Sequence, residues 1–318
     1  MSRFEIIDFG DTALVLDAES GSLSEVSGTG RLLSAWLAEL GDIEAVARRV
    51  SAHFGIDEAR AMGDVRGLFD ALTRSTPAKP RPMAFEREGD AHHFVYQGRR
   101  IARLDNQGNE ARWEGPKDAR PDPEWRLRLL MPHMLMLRGL FVLHASAVRL
   151  GERLIALTGA SGSGKSTTAR LLARGEPVSD DLLLVSLAGN TPQVWLEAER
   201  ALRAFCARHA ERFGAGEPVW VTRDDLASFQ AGPRATLDAI WILDASRRQG
   251  ARFAETPLAP AKATAALVMQ GFGEVEDGGV WRHLLRSSAR LASTRRVAEV
   301  TAPAGLEALH EAASVLNG

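Results

Sequence analysis

The sequence predicts an α/β domain preceded by a small α+β unit of winged-helix-like composition. Three observations carry the prediction. Between Arg153 and Arg174 an apolar β-prone run, a glycine-rich loop and a helix-forming run follow one another. The first 76 residues hold strand-like segments and then three helical stripes. Ser75-Thr76-Pro77-Ala78-Lys79-Pro80-Arg81-Pro82, with three prolines in six residues, reads as a stiff, non-helical linker between the two. A chain of 318 residues exceeds one average domain. It divides into residues 1–76, a linker and small β meander over 77–122, and the α/β domain over 123–318.

In the first unit, Ile6, Ile7 and Phe9 mark a strand, Ala13-Leu14-Val15-Leu16 a second, and Ser22-Leu23-Ser24-Glu25-Val26 a weaker third. Leu32, Leu33, Trp36, Leu37 and Leu40 then share one helical face, stopped by Gly41. Ile43, Val46, Ala47, Val50 and Phe54 repeat the spacing up to Gly55, and Met62, Val65, Leu68, Phe69 and Leu72 form the third stripe. Over Gly10–Arg74 this succession resembles the PqqD-like peptide-recognition domains, through Leu14-Val15-Leu16-Asp17-x-x-x-Gly21, the helix bearing Trp36, and Phe54-Gly55-Ile56-Asp57. The resemblance implies that a peptide leader adds as a strand to a sheet edge, with backbone hydrogen bonds giving affinity and side-chain pockets selectivity. The alternative is a winged-helix-like accessory unit with a packing role only.

After the linker, His92-His93-Phe94-Val95-Tyr96, Arg100-Ile101-Ala102-Arg103-Leu104 and Glu110-Ala111-Arg112-Trp113 read as a meander turning at Gly98 and Asp105–Gly108. Neighbouring strand residues point to opposite faces, so His92 and His93 read as a solvated pair and not as metal ligands. Trp125–Leu140 is rich in Leu and Met, but it is too short for a membrane span and is interrupted by Arg126, Arg128, His133 and Arg138. It reads as a buried helix that Pro132 kinks or divides.

Gly159-Ala160-Ser161-Gly162-Ser163-Gly164-Lys165-Ser166, followed by Thr167, fits the phosphate-binding pattern G-x-x-x-x-G-K-[ST] at every fixed position. The strand Arg153–Thr158 before it and the helix Thr168–Arg174 after it supply the context the motif needs. Glycines let backbone N–H groups turn inward around phosphate oxygens, and the helix N-terminus adds a favourable dipole. Lys165 would reach the β- and γ-phosphates of ATP, and the Ser166 hydroxyl would ligate Mg²⁺.

Two flanking segments complete a constellation. Phe141-Val142-Leu143-His144-Ala145-Ser146-Ala147-Val148 is separated from the phosphate-loop strand by Gly151-Glu152, which predicts antiparallel neighbours. Pro177-Val178-Ser179-Asp180-Asp181-Leu182 offers two carboxylates for metal ligation and proton abstraction. Only Pro177-Val178 precede the pair, so an ordinary apolar strand ending in a carboxylate does not bring them to the nucleotide. Together, His144-Ala145-Ser146-Ala147-Val148, the loop and Arg174-Gly175-x-x-Val178-Ser179-Asp180-Asp181 resemble the HPr serine kinase family, which is structurally similar to phosphoenolpyruvate carboxykinase. The tail from Leu237 to Thr264 resembles HPr-kinase-related proteins encoded beside peptide-modification genes. The resemblance implies that one of Asp180 and Asp181 accepts the acceptor's proton while the other binds metal, with Asp181 and Ser166 as metal candidates. It places His144 near the γ-phosphate or the acceptor, and Lys165 on phosphate. The family's Arg-Gly-Leu-Gly signature and basic loop are absent, so neither HPr itself nor the reverse phosphorolysis is expected.

Composition bounds the rest. A hydrophobic share of 45% and a charged share of 25% suit a soluble globular protein. The net charge of −2 argues against a broad nucleic-acid or anionic-membrane surface. Cys206 is the single cysteine, which excludes an internal disulfide and a cysteine-based zinc site. Met1-Ser2-Arg3-Phe4-Glu5 lacks the features of a signal peptide, and a cytoplasmic location is expected. Glu197 and Glu199 read as solvent-facing helix residues. Arg286, Arg290, Arg295 and Arg296 are candidates for a transition-state cation. Leu237–Asp244 reads as a buried strand, Pro260–Met269 as a helix, Arg295–Val300 as a strand and Gly305–Leu316 as an amphipathic helix. The functional expectation is an ATP- and Mg²⁺-dependent kinase acting on a serine hydroxyl of a peptide or protein. Two alternatives stand beside it: a nucleotide-dependent peptide-binding module, and a kinase of a small-molecule hydroxyl. Homo-oligomer formation is left open.

Overall fold

The computed structural model of the chain describes residues 2–74, 83–96, 98–116, 122–160, 162–173, 177–243, 253–271 and 278–301. The linker, the Arg174-Gly175 turn, the Asp244 strand end and Gly305–Leu316 lie outside these residues.

The first unit is an antiparallel meander of β1 (Phe4–Asp8), β2 (Thr12–Asp17) and β3 (Leu23–Ser27), followed by α1 (Thr29–Leu40), α2 (Ile43–Phe54) and α3 (Glu58–Thr73). Local chemistry sets the helix limits. Gly41 and Gly55 adopt left-handed φ values of 68° and 65° and end α1 and α2. The Asp42 and Asp57 side chains accept the free N–H groups that open α2 and α3. Val15, Leu33, Trp36, Leu37, Val46, Val50, Val65 and Leu72 close a core of their own. The stripes fray at their ends, where Leu40 and Phe54 are exposed.

A second meander contains β4 (Met83–Glu88), β5 (Ala91–Tyr96), β6 (Arg99–Asp105) and β7 (Glu110–Trp113). Its first strand, which the sequence expectation did not include, buries Phe85 and exposes Glu86, Arg87 and Glu88. His92 corrects the expectation of a solvated pair: it is fully buried, and only His93 faces the rim carboxylates Glu88 and Glu114. The next helix, α4 (Pro123–Leu137), is buried along its length and runs through Pro132 without dividing. Packing on nearly all sides holds the turn that the missing N–H would loosen.

The remainder comprises β8 (Phe141–His144), β9 (Ser146–Leu150), β10 (Arg153–Thr158), α5 (Lys165–Ala173), β11 (Leu182–Ser186), β12 (Gln193–Trp195), α6 (Ala198–Gly214), β13 (Val219–Trp220), α7 (Arg223–Phe229), β14 (Arg234–Thr236), β15 (Ala239–Leu243), β16 (Ala254–Pro257), α8 (Pro260–Gln270), α9 (Gly278–Thr294) and β17 (Arg296–Thr301). Sheet order is β16-β17-β15-β10-β9 in one sheet, β14-β12-β11-β8 in another, and β13-β7-β6-β5-β4 in the meander. The chain is thus a mixed α/β protein with several sheets and, among the described residues, nine helices. No described helix is long and apolar enough to cross a membrane. β10 runs parallel to β15 and antiparallel to β9, as the Gly151-Glu152 turn predicts. The expected neighbour Phe141–Val148 is divided, however: only its part from Ser146 pairs with β10, and Phe141–His144 pairs with β11 in another sheet.

Alternation along β2 sets how the first unit sits. Val15 faces its own helices, whereas Leu14 and Leu16, at most 1% exposed, join the large core with residues of α8 and α9. At the rim Arg286 pairs with Glu5 at 2.6 Å, Arg282 donates to the Ser2 carbonyl, and Trp281 lies against Gly21.

Candidate active site

The glycine-rich loop leaves β10 at Thr158 and enters α5 at Lys165. Gly159, Gly162 and Gly164 have φ values of 143°, 78° and 89°, where a side chain is strained. At Gly159 a Cβ would stand 2.3 Å from the Leu243 carbonyl oxygen of β15, so only glycine fits between the two parallel strands. Ser163 N–H donates to the Ala160 carbonyl at 3.0 Å and closes the turn. Lys165 is buried, with Nζ 2.9 Å from the Gly159 oxygen and 3.2 Å from that of Ala160. Burial pulls its pKa down, and the nearby Asp181 charge opposes that shift. Ser166 is half-buried and Thr167 exposed at the start of α5; Ser161 lies outside the described residues.

His144 and the two aspartates reach the loop through a change of sheet. β8 pairs with β11, which aligns His144 with Leu182, while β9 pairs with β10. Ala145, buried between the two, is where the chain crosses over. The short run before the aspartates forms no strand; it lies along β9 by single contacts. Val178 N–H donates to the Ala147 carbonyl and Ala147 N–H to that of Ser179, both at 2.8 Å, and the Ser146 hydroxyl donates to the Asp180 carbonyl at 2.6 Å. Asp181 therefore sits beside His144, with Nε2 and Oδ1 3.3 Å apart. The Thr158 hydroxyl donates to the His144 carbonyl at 2.9 Å and ties this pair to the end of the loop strand.

The two carboxylates differ. Asp181 lines a cavity with its side chain 60% exposed, and the His144 hydrogen bond holds its pKa below the usual carboxylate range, with Arg128 and Arg203 acting in the same direction. Arg128 stands 4.0 Å away. Asp180 Oδ2 accepts from Arg170 of α5 at 2.7 Å. Its Oδ1 is shielded from solvent and has no hydrogen-bond partner among the described residues.

A cavity of about 610 Å³ opens over Gly159, Ala160, His144 and Asp181, with Arg128 and Arg203 at its wall and Trp125, Leu129 and Leu202 giving it an apolar side. Cys206 also borders it; burial pushes the thiol up to about 12, which leaves it an inert neutral group. Glu199 corrects the solvent-facing expectation: its side chain is 11% exposed and bonds the Asp180 turn and Arg203. The arginines expected to supply a cation are elsewhere. Arg286 pairs with Glu5, Arg290 donates to the Gly189 carbonyl, Arg295 to that of Thr294, and Arg296 pairs with Glu255. Arg128 and Arg203 are the arginines that line the cavity. The signal that could have found them is a charge on the inward stripe of an otherwise buried helix: Arg128 within Trp125–Leu140, and Glu199 four residues before Arg203.

Among the described residues no group of three or more His, Cys, Asp or Glu is arranged to hold a metal. A scan of protein-family models finds no match to the chain, and neither does a search of curated proteins.

Proposed function

We propose that the protein is an ATP- and Mg²⁺-dependent kinase of the HPr-kinase-related type that phosphorylates a hydroxyl, with serine in a peptide or protein as the acceptor. One observation carries this reading: Gly159 and Ala160 of a loop of phosphate-binding pattern line one cavity with the His144–Asp181 pair, and the buried Lys165 is held against the carbonyls of those two loop residues. The residues fit the nucleotide and metal. Gly159, Gly162 and Gly164 hold the positive φ values that let a loop turn its N–H groups toward phosphate, and a Mg²⁺ held by one hydroxyl, one or two carboxylates and phosphate oxygens needs no all-protein cluster. Ser166 and Asp181 would supply such oxygens, and the adjoining Asp180 keeps one carboxylate oxygen without a hydrogen-bond partner among the described residues.

When bound, MgATP supplies the transferable γ-phosphoryl group with its charge partly neutralised. Lys165 exchanges its two loop carbonyls for phosphate oxygens and holds them at the start of α5. Arg128 and Arg203 counter the negative charge that gathers in the cavity. Asp181, kept ionised by His144, accepts the proton of the acceptor hydroxyl, and His144 holds that carboxylate in place. The apolar wall excludes water, which favours transfer to the acceptor over hydrolysis. The first unit, buried against α8 and α9 on one face of its sheet, keeps the edge of β3 for a peptide strand in the PqqD-like manner.

The test uses the full chain with MgATP and a set of serine-containing peptides, read by intact mass. Wild type yields a phosphate increment on the accepted peptides. Asp181→Asn keeps nucleotide binding and loses about 100-fold or more in kcat. Nucleotide binding without transfer to any peptide or small alcohol would instead favour a nucleotide-dependent binding module.

A further inference from the structure

The geometry points to Glu199 as a positioning residue: one carboxylate that holds both the Asp180-Asp181 turn and the Arg203 guanidinium in their working places. The inference rests on the phosphoryl-transfer reading for the reaction it serves, but on hydrogen bonds alone for the contacts.

Glu199 lies in the first turn of α6, where a negative charge is favoured by the helix dipole. Its Oε2 accepts from the Asp180 N–H at 2.8 Å and stands 2.8 Å from the Ser179 hydroxyl. That hydroxyl is also 2.7 Å from the Leu182 carbonyl; with one proton it serves one acceptor at a time, so the Asp180 N–H is the constant bond. Its Oε1 accepts from Arg203 Nε at 3.0 Å and from a second guanidinium nitrogen. Glu199 therefore adds a second hold on the aspartate turn beside that of β9, whose Ala147 and Ser146 also bond it.

The turn has no strand of its own before Asp180, so these contacts replace the ladder that would fix a carboxylate at a strand end. Without Glu199 the Asp180 N–H has lost its acceptor and the guanidinium its partner, four residues along the same helix face. Both would be free to move while the loop and Lys165 stay as they are. The loss should appear in turnover and not in nucleotide affinity.

Three variants are compared in the full chain. Glu199→Ala lowers kcat by about 10- to 100-fold, with KM for ATP within about twofold of wild type. Glu199→Gln keeps an acceptor for the Asp180 N–H and loses less. Glu197→Gln removes a charge two residues away, where the side chain pairs only with Arg200 at the surface among the described contacts, and retains wild-type kcat. Independently of activity, amide exchange over residues 177–182 is faster in Glu199→Ala than in wild type. Wild-type kcat in Glu199→Ala, or unchanged exchange over 177–182, overturns the inference. So does a parallel loss of ATP affinity and melting temperature, which marks general unfolding. A wild-type protein that binds MgATP yet transfers nothing refutes the kinase reading, and the exchange comparison still decides whether Glu199 holds the turn.

Discussion

Replacing Gly159 by alanine should damage both the fold and the proposed nucleotide site, by an amount that follows from its φ and one backbone contact. The residue sits at φ 143°, a conformation costing a side chain about 1–3 kcal/mol. The new Cβ would also stand 2.3 Å from the Leu243 carbonyl oxygen, inside any real van der Waals contact. That oxygen belongs to the backbone of β15, which is paired to β10 on one side and β17 on the other, so it yields only by distorting two ladders. Overpacking of this kind adds about 1–3 kcal/mol. The total, about 2–6 kcal/mol, corresponds to a melting temperature lowered by about 4–24 °C, at about 2–4 °C per kcal/mol. Gly162→Ala is the matched comparison, because its φ is 78° and nothing lies within 4 Å of the added Cβ. It should cost only about 1–2 kcal/mol. Thermal melts with and without MgATP measure both effects. Gly159→Ala should melt lower than Gly162→Ala and show no stabilisation by MgATP. Equal melting of the two variants, or full stabilisation of Gly159→Ala by MgATP, would refute the reasoning.

Asp17 gives a pH-dependent test of the first unit. Its carboxylate is fully buried; burial raises its pKa, but the bonds from Arg3 at 2.9 and 2.8 Å, with Ser20 and Glu19, outweigh that and leave it lowered. A lowered pKa in the folded state contributes stability that is complete above the unfolded value near ~3.9 and is lost as pH falls through the folded value. Acid denaturation followed by circular dichroism should therefore be less steep below about pH 4 in Asp17→Asn. The variant should also be about 1.5–3 kcal/mol less stable at neutral pH, since Arg3 can partly return to water. Leu16→Ala probes the junction of the two units: the side chain is 0% exposed and belongs to the large core. Urea denaturation should show a loss of about 2–5 kcal/mol; less than about 1 kcal/mol would mean that the sheet face is not held there.

The elements read most clearly from sequence are those whose signal is local. The three helical stripes, the Gly41 and Gly55 stops and the strand–loop–helix around Gly159 each need only a few neighbouring residues. The arrangement around the loop is non-local. Nothing in Phe141–Val148 announces that the chain leaves one sheet for another at Ala145, yet that crossing is what sets His144 beside Asp181. Nothing in Pro177-Val178 shows that its neighbours are Ala147 and Ser146, 31 residues earlier along the chain at the closest pairing. Glu199, Arg128 and Arg203 were hidden for a different reason. A charged residue on a helix faces solvent more often than not, and only the position of the aspartate turn reveals which of them face inward. His92 and Pro132 illustrate the same limit: burial on all sides allows a histidine in a core and a proline in a continuous helix.

The central claim is that this cavity takes MgATP through the glycine loop and Lys165 and passes its γ-phosphoryl group to a hydroxyl. Calorimetric titration of MgATP into wild type and Lys165→Ala, followed by the peptide transfer assay on the same samples, tests it most directly. The account predicts one MgATP site with transfer in wild type, and loss of both in Lys165→Ala. Absence of MgATP binding to wild type at millimolar concentration, or transfer that persists in Lys165→Ala, would contradict it.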